Sequence, residues 1–256
     1  MREEGESRTR TIGYTSNYLG QLERITYGDD DKEIITYRYN EGGQIRSVTG
    51  HKDSPDDSGE FEYVRDIGYD EFGQRVELEY GNGVRTVYTY NPERRWLERI
   101  VTTGGTGSVL QNISYDINPV GNVNGYENDA DLYYTKHSYG YDSLYQLVTV
   151  NGESKNYQAG SGLVTMHSEY SQSFAFDGAG NGKLESKVSS ERTMGTRNGD
   201  NLNYRLGYRY YAGTHRAEQI GEMYYQYDGN GNLVTERFGG HGGTTANNAQ
   251  VYEEDG

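Results

Sequence analysis

Polar and apolar residues alternate in short runs along most of this 256-residue chain. Alternation with period two is the mark of β-strands. It predicts strands at 22–27, 33–39, 61–69, 97–102, 108–115, 133–141, 146–150, 203–211, 219–227 and 233–238. Acidic or glycine-rich tips separate them, at 28–31 and 104–107. The stretch 50–59, with Pro55, reads as a longer loop, and 121–131 as a polar loop. The segments 160–170 and 189–201 break the rhythm and read as loops running past the sheet. Nothing predicts a long helix; a short one fits only at 127–134.

The clearest hairpin spans 74–90. Val76, Leu78 and Tyr80 share one face, and Val84, Thr86, Tyr88 and Tyr90 share another. A two-residue turn at Asn82-Gly83 sets these faces against each other. A three-residue loop, Gly81-Asn82-Gly83, joins them and pairs Leu78 with Thr86, so the longer loop with its bulge is predicted. Asn151-Gly152 reads as a second, two-residue hairpin turn.

One unit recurs. Tyr227-Asp228-Gly229-Asn230-Gly231-Asn232-Leu233 ends a strand on tyrosine, reverses, and starts the next strand on an aliphatic residue. The Asp228 carboxylate suits an N–H two residues on, and Gly231 suits the positive φ of the reversal. Copies stand at Tyr39-Asn40-Glu41-Gly42-Gly43-Gln44-Ile45 and Tyr69-Asp70-Glu71-Phe72-Gly73-Gln74-Arg75. Tyr141-Asp142-Ser143-Leu144-Tyr145-Gln146-Leu147 puts Tyr145 in the glycine's place. Phe176-Asp177-Gly178-Ala179-Gly180 trades tyrosine for phenylalanine, and Tyr90-Asn91 and Tyr115-Asp116 keep the first half. The spacing, roughly 17–35 residues, is that of a repeat architecture.

These copies resemble the YD repeat of the RHS family: RHS polymorphic toxins, the C component of insecticidal toxin complexes, wall-associated bacterial proteins and teneurins. The resemblance covers residues 14–238. It implies an all-β fold of YD-repeat antiparallel hairpins in a continuous, spiralling sheet, a segment of a hollow shell that encloses a toxin or other cargo. The family's proline- and aspartate-containing core signature and its self-cleavage site have no counterpart here, and prolines occur only at 55, 92 and 119. The family's catalytic aspartates therefore map to no residue of this chain.

Composition modifies this picture. Leu, Ile, Val and Phe together number 43 of 256 residues, below the roughly 20% that suggests disorder in a highly charged chain. Against that stand 27 tyrosines, placed periodically, each with a large ring and one polar end. That mixture suits a sheet wetted on both faces better than a filled globule. The expected organisation is a flexible leader at 1–10, a YD-repeat sheet at 11–238 and a disordered Gly-rich acidic tail at 239–256. A net charge of −15 argues against nucleic acid as a partner. No apolar stretch is long enough for a membrane span, and the charged leader is no signal peptide. Cysteine is absent.

Candidate chemistry is sparse. Asp228-Gly229-Asn230-Gly231-Asn232 opens like an EF-hand loop, but Leu233 and Gly239 stand where a glycine and a glutamate belong. The histidines, His51, His137, His167, His215 and His241, show no ligand spacing. Gly104-Gly105-Thr106-Gly107 has no helix behind it to receive a phosphate. No catalytic, cofactor-binding or metal residue is expected, and no cofactor. Tyr39, Tyr69, Tyr90, Tyr115, Tyr141 and Tyr227 are expected to pack on each other as a ladder. The expected role is a non-catalytic wall segment, secreted or at the cell surface. Its expected partners are a cargo polypeptide, adjoining shell segments, or itself through sheet edges. The alternative is a surface adhesion module whose tyrosines bind a glycan.

Overall fold

The computed structural model describes residues 11–28, 33–53, 58–178, 180, 182–195, 202–239 and 250–251. The predicted leader, most of the predicted tail and most of the acidic tip at 28–31 lie outside the described residues. All regular structure among the described residues is β: nineteen strands, antiparallel to their neighbours within each unit.

The chain divides into two compact units. The first, residues 1–114 with 129–131, holds β1 (Ile12–Ser16), β2 (Leu22–Tyr27), β3 (Glu33–Tyr39), β4 (Ile45–Asp53), β5 (Ser58–Tyr69), β6 (Arg75–Tyr80), β7 (Arg85–Tyr90), β8 (Leu97–Thr103) and most of β9 (Val109–Ile117). The second, 115–128 with 132–256, holds β10 (Val123–Asp129), β11 (Tyr133–Tyr141), β12 (Leu147–Tyr157), β13 (Val164–Phe176), β14 (Leu184–Gly195), β15 (Tyr204–Tyr210), β16 (Ala217–Ile220), β17 (Met223–Tyr227), β18 (Leu233–Phe238) and the short β19 (Gln250–Val251).

The predicted hairpin register holds. Leu78 pairs with Thr86, and the Tyr80 N–H donates to the Val84 carbonyl across a three-residue loop. Gly83 at φ 80° supplies the left-handed residue that the bulge requires. Leu78, Thr86, Thr102 and Gln111 then form one row across four strands. The Thr86 and Thr102 hydroxyls lie 3.0 Å apart.

Four expectations are corrected. Asn151-Gly152 is no turn; it lies inside β12, which pairs along both edges. The predicted loops 160–170 and 189–201 are largely the long strands β13 and β14. Their polar side chains bond one another across the strands, Ser168 Oγ to Glu191 Oε1 and to Thr193 Oγ1 at 3.0 Å each, so polarity there did not mean a loop. The stretch 121–131 is mostly β10, with Ala130 buried, and no helix forms at 127–134. Gly125 lets β10 approach so closely that a Cβ there would stand 2.2 Å from the His137 carbonyl oxygen. Finally, 219–227 is two strands, not one: Ile220 pairs with Met223 across Gly221-Glu222.

Within each unit, strand contacts run between neighbours in sequence. The buried hydrophobic side chains among the described residues are Leu78, Ala130 and Val150, and no large side chain is fully buried. Among the described residues little dry interior supplies the usual hydrophobic term, which leaves more of the cohesion to the strand ladders and turns.

Candidate functional surface

The YD turns share one construction. At Asp70, the residue's own N–H donates to the Gln74 carbonyl, and the Gly73 N–H donates back to the Asp70 carbonyl. The carboxylate accepts from the N–H groups of Phe72 and Gln74 at 2.9 and 2.8 Å. Asn17, Asn118, Asp142 and Asp228 repeat the pattern, the last with the Asn230 N–H at 2.9 Å, as the sequence predicted. Burial works to raise the Asp70 carboxyl, but the Gln74 and Phe72 N–H groups and the Arg95 guanidinium outweigh it and hold it below the ordinary value.

Consecutive turns are then latched together, in two directions. The tyrosine ending one strand donates its hydroxyl to the carbonyl that opens the strand after the preceding turn. Tyr39 reaches Leu22 at 2.6 Å, Tyr69 reaches Ile45 at 2.8 Å, and Tyr90 reaches Arg75 at 3.0 Å. In the second unit, Tyr141 reaches Val123 at 2.8 Å and Tyr210 reaches Leu184 at 3.1 Å. In the other direction, a glutamine just past one turn donates to the carbonyl of the left-handed residue in the next. Gln21 bonds Gly43 at 2.9 Å, Gln44 bonds Gly73 at 3.4 Å, and Gln74 bonds Arg95 at 2.9 Å. These carbonyls lie where neighbouring hairpins splay; the β2–β3 ladder, for example, stops at Arg24 and Thr36. A carbonyl that has lost its ladder partner needs another donor.

The tyrosine ladder is therefore a chain of hydroxyl latches, not a ring stack. Tyr39 and Tyr69 stand two strands apart, about 9.6 Å, beyond ring contact. Tyr115 does not lead a turn at all; that turn starts at Asn118, and Tyr115 lies beside Tyr126 with ring centroids 6.2 Å apart. The glutamines were visible in the sequence at 21, 44, 74 and 146, each following a turn's left-handed position, but their role needed the register.

Among the described residues, two turn positions carry positive φ without glycine: Tyr145 and Arg95, both at 61°. That conformation costs a bulky residue on the order of 1–3 kcal/mol. Tyr145 is 61% exposed. Tyr145→Gly is expected to raise stability by about 1 kcal/mol in urea unfolding. Arg95→Gly is expected to gain nothing, because Arg95 pairs with Asp70 and its guanidinium sits 4.2 Å over the Phe72 ring.

A second device appears once in each unit. An aromatic side chain crosses a mid-strand glycine to bond a residue one strand beyond. In the first unit, Phe61 and Tyr63 cover Gly50, and the Tyr63 hydroxyl meets the Glu33 carboxylate on β3. That bond, with burial, pushes the Tyr63 phenol up to about 12. In the second, the Tyr170 ring covers Gly152 and its hydroxyl lies 2.7 Å from His137 Nδ1 on β11. Tyr126 stacks on the other side of His137 at 4.5 Å. Burial raises the Tyr170 phenol to about 12 and lowers the His137 imidazole. In the tautomer with its proton on Nε2, a neutral His137 accepts a hydrogen bond from the phenol at Nδ1.

A pH dependence follows. The unfolded chain binds a proton at His137 near the ordinary value of 6.5, whereas the folded chain resists it to lower pH. Stability is therefore lost as pH falls below the ordinary imidazole value of 6.5. Depressed carboxyls such as Asp70 and Glu77 contribute only at lower pH, below their ordinary values. Urea midpoints measured downward from pH 6.5 are expected to decline, and His137→Gln is expected to flatten the slope.

The two faces of β11–β14 differ. One carries His137, Tyr170, Thr135, Val150 and Ser168. The other is charged, with Lys136, Glu153, Lys155, His167, Glu169 and Arg192; Lys136, Glu153, Glu169 and Arg192 line a shallow concavity of about 450 Å³. His167, which the sequence left isolated, stands here 2.9 Å from Glu153 and 3.6 Å from Glu169. The other histidines of the described residues do not join it. The EF-hand-like start at Asp228 is a YD turn whose carboxylate is engaged by the N–H groups of Asn230 and Asn232 and the Asn232 amide.

No protein-family model matches the chain. It is 34% identical over 143 residues to toxin subunit YenC2 of Yersinia entomophaga, covering 46% of this chain and 15% of that protein. Toxin subunit YenC1 of the same organism is 35% identical over 140 residues, 46% of this chain and 14% of that protein. The chain thus spans about one seventh of the length of the curated relatives it matches. Among solved structures, the TcdB2–TccC3 complex matches with a TM-score of 0.67 at 22% identity, over 94% of this chain and 13% of that one. The Photorhabdus luminescens Tc holotoxin pore matches at 0.67 and 21%, over 90% and 12%. At such identities the structures speak for the fold. With the repeated Tyr–Asx turns and the two similar toxin subunits, they bear out the all-β repeat fold and the chain's resemblance to the RHS/YD-repeat family.

Proposed function

We propose that this chain is a structural wall segment of an RHS-type β-shell, enclosing a toxin or other cargo polypeptide and carrying out no catalysis itself. The observation that carries the reading is the latch series. Five turns are tied to the turn before them by a tyrosine, and in the first unit three glutamines tie turns in the other direction, so the sheet extends repeat by repeat with little buried core among the described residues. Such an assembly can wall off a volume far larger than a globule of the same length encloses. The toxin-subunit relatives support a place in a toxin complex, hence secretion or surface exposure. Its partners are then the cargo and adjoining stretches of the same wall.

The adhesion reading is less well supported. Sugar recognition needs exposed rings and free hydroxyls, and the hydroxyls of Tyr39, Tyr69, Tyr90, Tyr141 and Tyr210 are already donated to the backbone. A glycan array separates the two, since a wall shows no saturable binding.

A chimera tests the proposal: this chain in place of the matched stretch of the Yersinia entomophaga subunit. A wall segment is expected to give a folded chimera whose C-terminal polypeptide resists added protease until the shell is opened with denaturant. A folded chimera that leaves that polypeptide open to cleavage throughout would count against it.

A further inference from the structure

We propose that Glu153, His167 and Glu169 form a cross-strand site for a borderline-soft divalent cation, Zn²⁺ by its ligand set. The register builds it. Glu153 on β12 stands directly opposite Glu169 on β13, and Lys155 stands opposite His167. All four point to the charged face. Two like charges directly opposite each other destabilise a sheet unless something lies between them. Here the His167 Nε2 does, 2.9 Å from Glu153 Oε1 and 3.6 Å from Glu169 Oε1.

The spacing fits a metal. Ligands at 2.0–2.2 Å around a tetrahedral zinc stand about 3.3–3.5 Å apart. The three donor atoms lie within 4.8 Å of one another, and the two imidazole–carboxylate separations, 2.9 and 3.6 Å, bracket that figure. One imidazole and two carboxylates suit zinc rather than calcium, which takes oxygen alone. Both glutamates line the concavity, which leaves room for the water that completes the coordination shell. The side chains sit on two long, fully paired strands, so they are held at ligand spacing by the backbone and not by a loop.

Lys155 is the competitor. Its Nζ lies 2.6 Å from Glu153 Oε1 and holds that carboxylate in the metal-free chain. It has somewhere to go, because the Tyr134 ring already lies 5.0 Å from Nζ. Metal binding therefore exchanges one cation for another at Glu153 and neutralises Glu169.

The test uses the full chain and Zn²⁺ alone, titrated against a chromophoric chelator, with circular dichroism to show that each variant keeps its sheet. One zinc per chain is expected. His167→Ala is expected to weaken binding by more than about 100-fold, beyond the 10–100-fold that loss of an outer partner costs. Lys155→Met is expected to tighten binding several-fold, a change that nonspecific surface binding does not show. His51→Ala and His215→Ala are expected to change nothing. Glu169→Gln, at a half-exposed position, serves if His167→Ala fails to fold, and is expected to weaken binding at least tenfold. No measurable binding, or binding unchanged in a folded His167→Ala or Glu169→Gln chain, overturns the site.

Discussion

Gly152→Ala is expected to cost about 2–3 kcal/mol, a large loss for adding one methyl group in mid-strand. A Cβ there would stand 2.1 Å from the Tyr170 ring, which is fixed at its far end by the hydrogen bond to His137. The ring cannot tilt away without giving up that bond and its cover over β12. Ordinarily alanine in a strand improves on glycine, so the sign itself is diagnostic. The companion variant separates steric cost from propensity. In a Tyr170→Ala background the clash is gone, and Gly152→Ala is expected to be neutral or mildly stabilising. Gly50→Ala is expected to be costly in the same way in the first unit but only partly relieved by Phe61→Ala, since its Cβ would stand 2.5 Å from the Phe61 ring and 2.9 Å from the Tyr63 ring. Denaturant midpoints of the single and double variants check both pairs.

Replacing Tyr39, Tyr69, Tyr90 and Tyr141 together by phenylalanine is expected to lose about 4 kcal/mol. Each change deletes one hydroxyl and strands one backbone carbonyl, for about 1 kcal/mol apiece. The four latches share no partners, so their losses should add. Against a typical total of roughly 5–15 kcal/mol this is a severe loss with the rings retained. Tyr18→Phe is the control: its side chain is 94% exposed and is expected to change stability by less than about 0.5 kcal/mol. Four variants that each match this control would mean the hydroxyls are idle and the rings alone matter.

Much of this was legible in the residues. The turn chemistry at Asp70 and Asp228 needs only local geometry, and Asx, glycine and their spacing state it outright. The 74–90 hairpin was readable because its apolar faces agree under one loop length alone. What failed was the reading of isolated glycines and polar runs. Asn-Gly at 151–152 carries the dipeptide signal of a turn, yet the glycine is there to admit a ring from the next strand, a contact between residues eighteen apart in sequence. The runs around Ser168 and Ser189 look like loop because each strand alone is polar; only pairing shows that the polar groups satisfy one another. The Glu153–His167–Glu169 cluster was hidden for the same reason. It draws on two strands, β12 and β13, and only their register brings its three residues together.

The most direct test of a sheet that stands by latches without an interior is the heat-capacity change on unfolding, measured by scanning calorimetry. Ordinary globular domains give about 12–15 cal/mol/K per residue, because they expose buried apolar surface. With Leu78, Ala130 and Val150 the buried apolar residues among those described, this chain is expected to fall below about 10 cal/mol/K per residue. A value at or above the ordinary range would reveal an apolar interior and contradict the latched single layer.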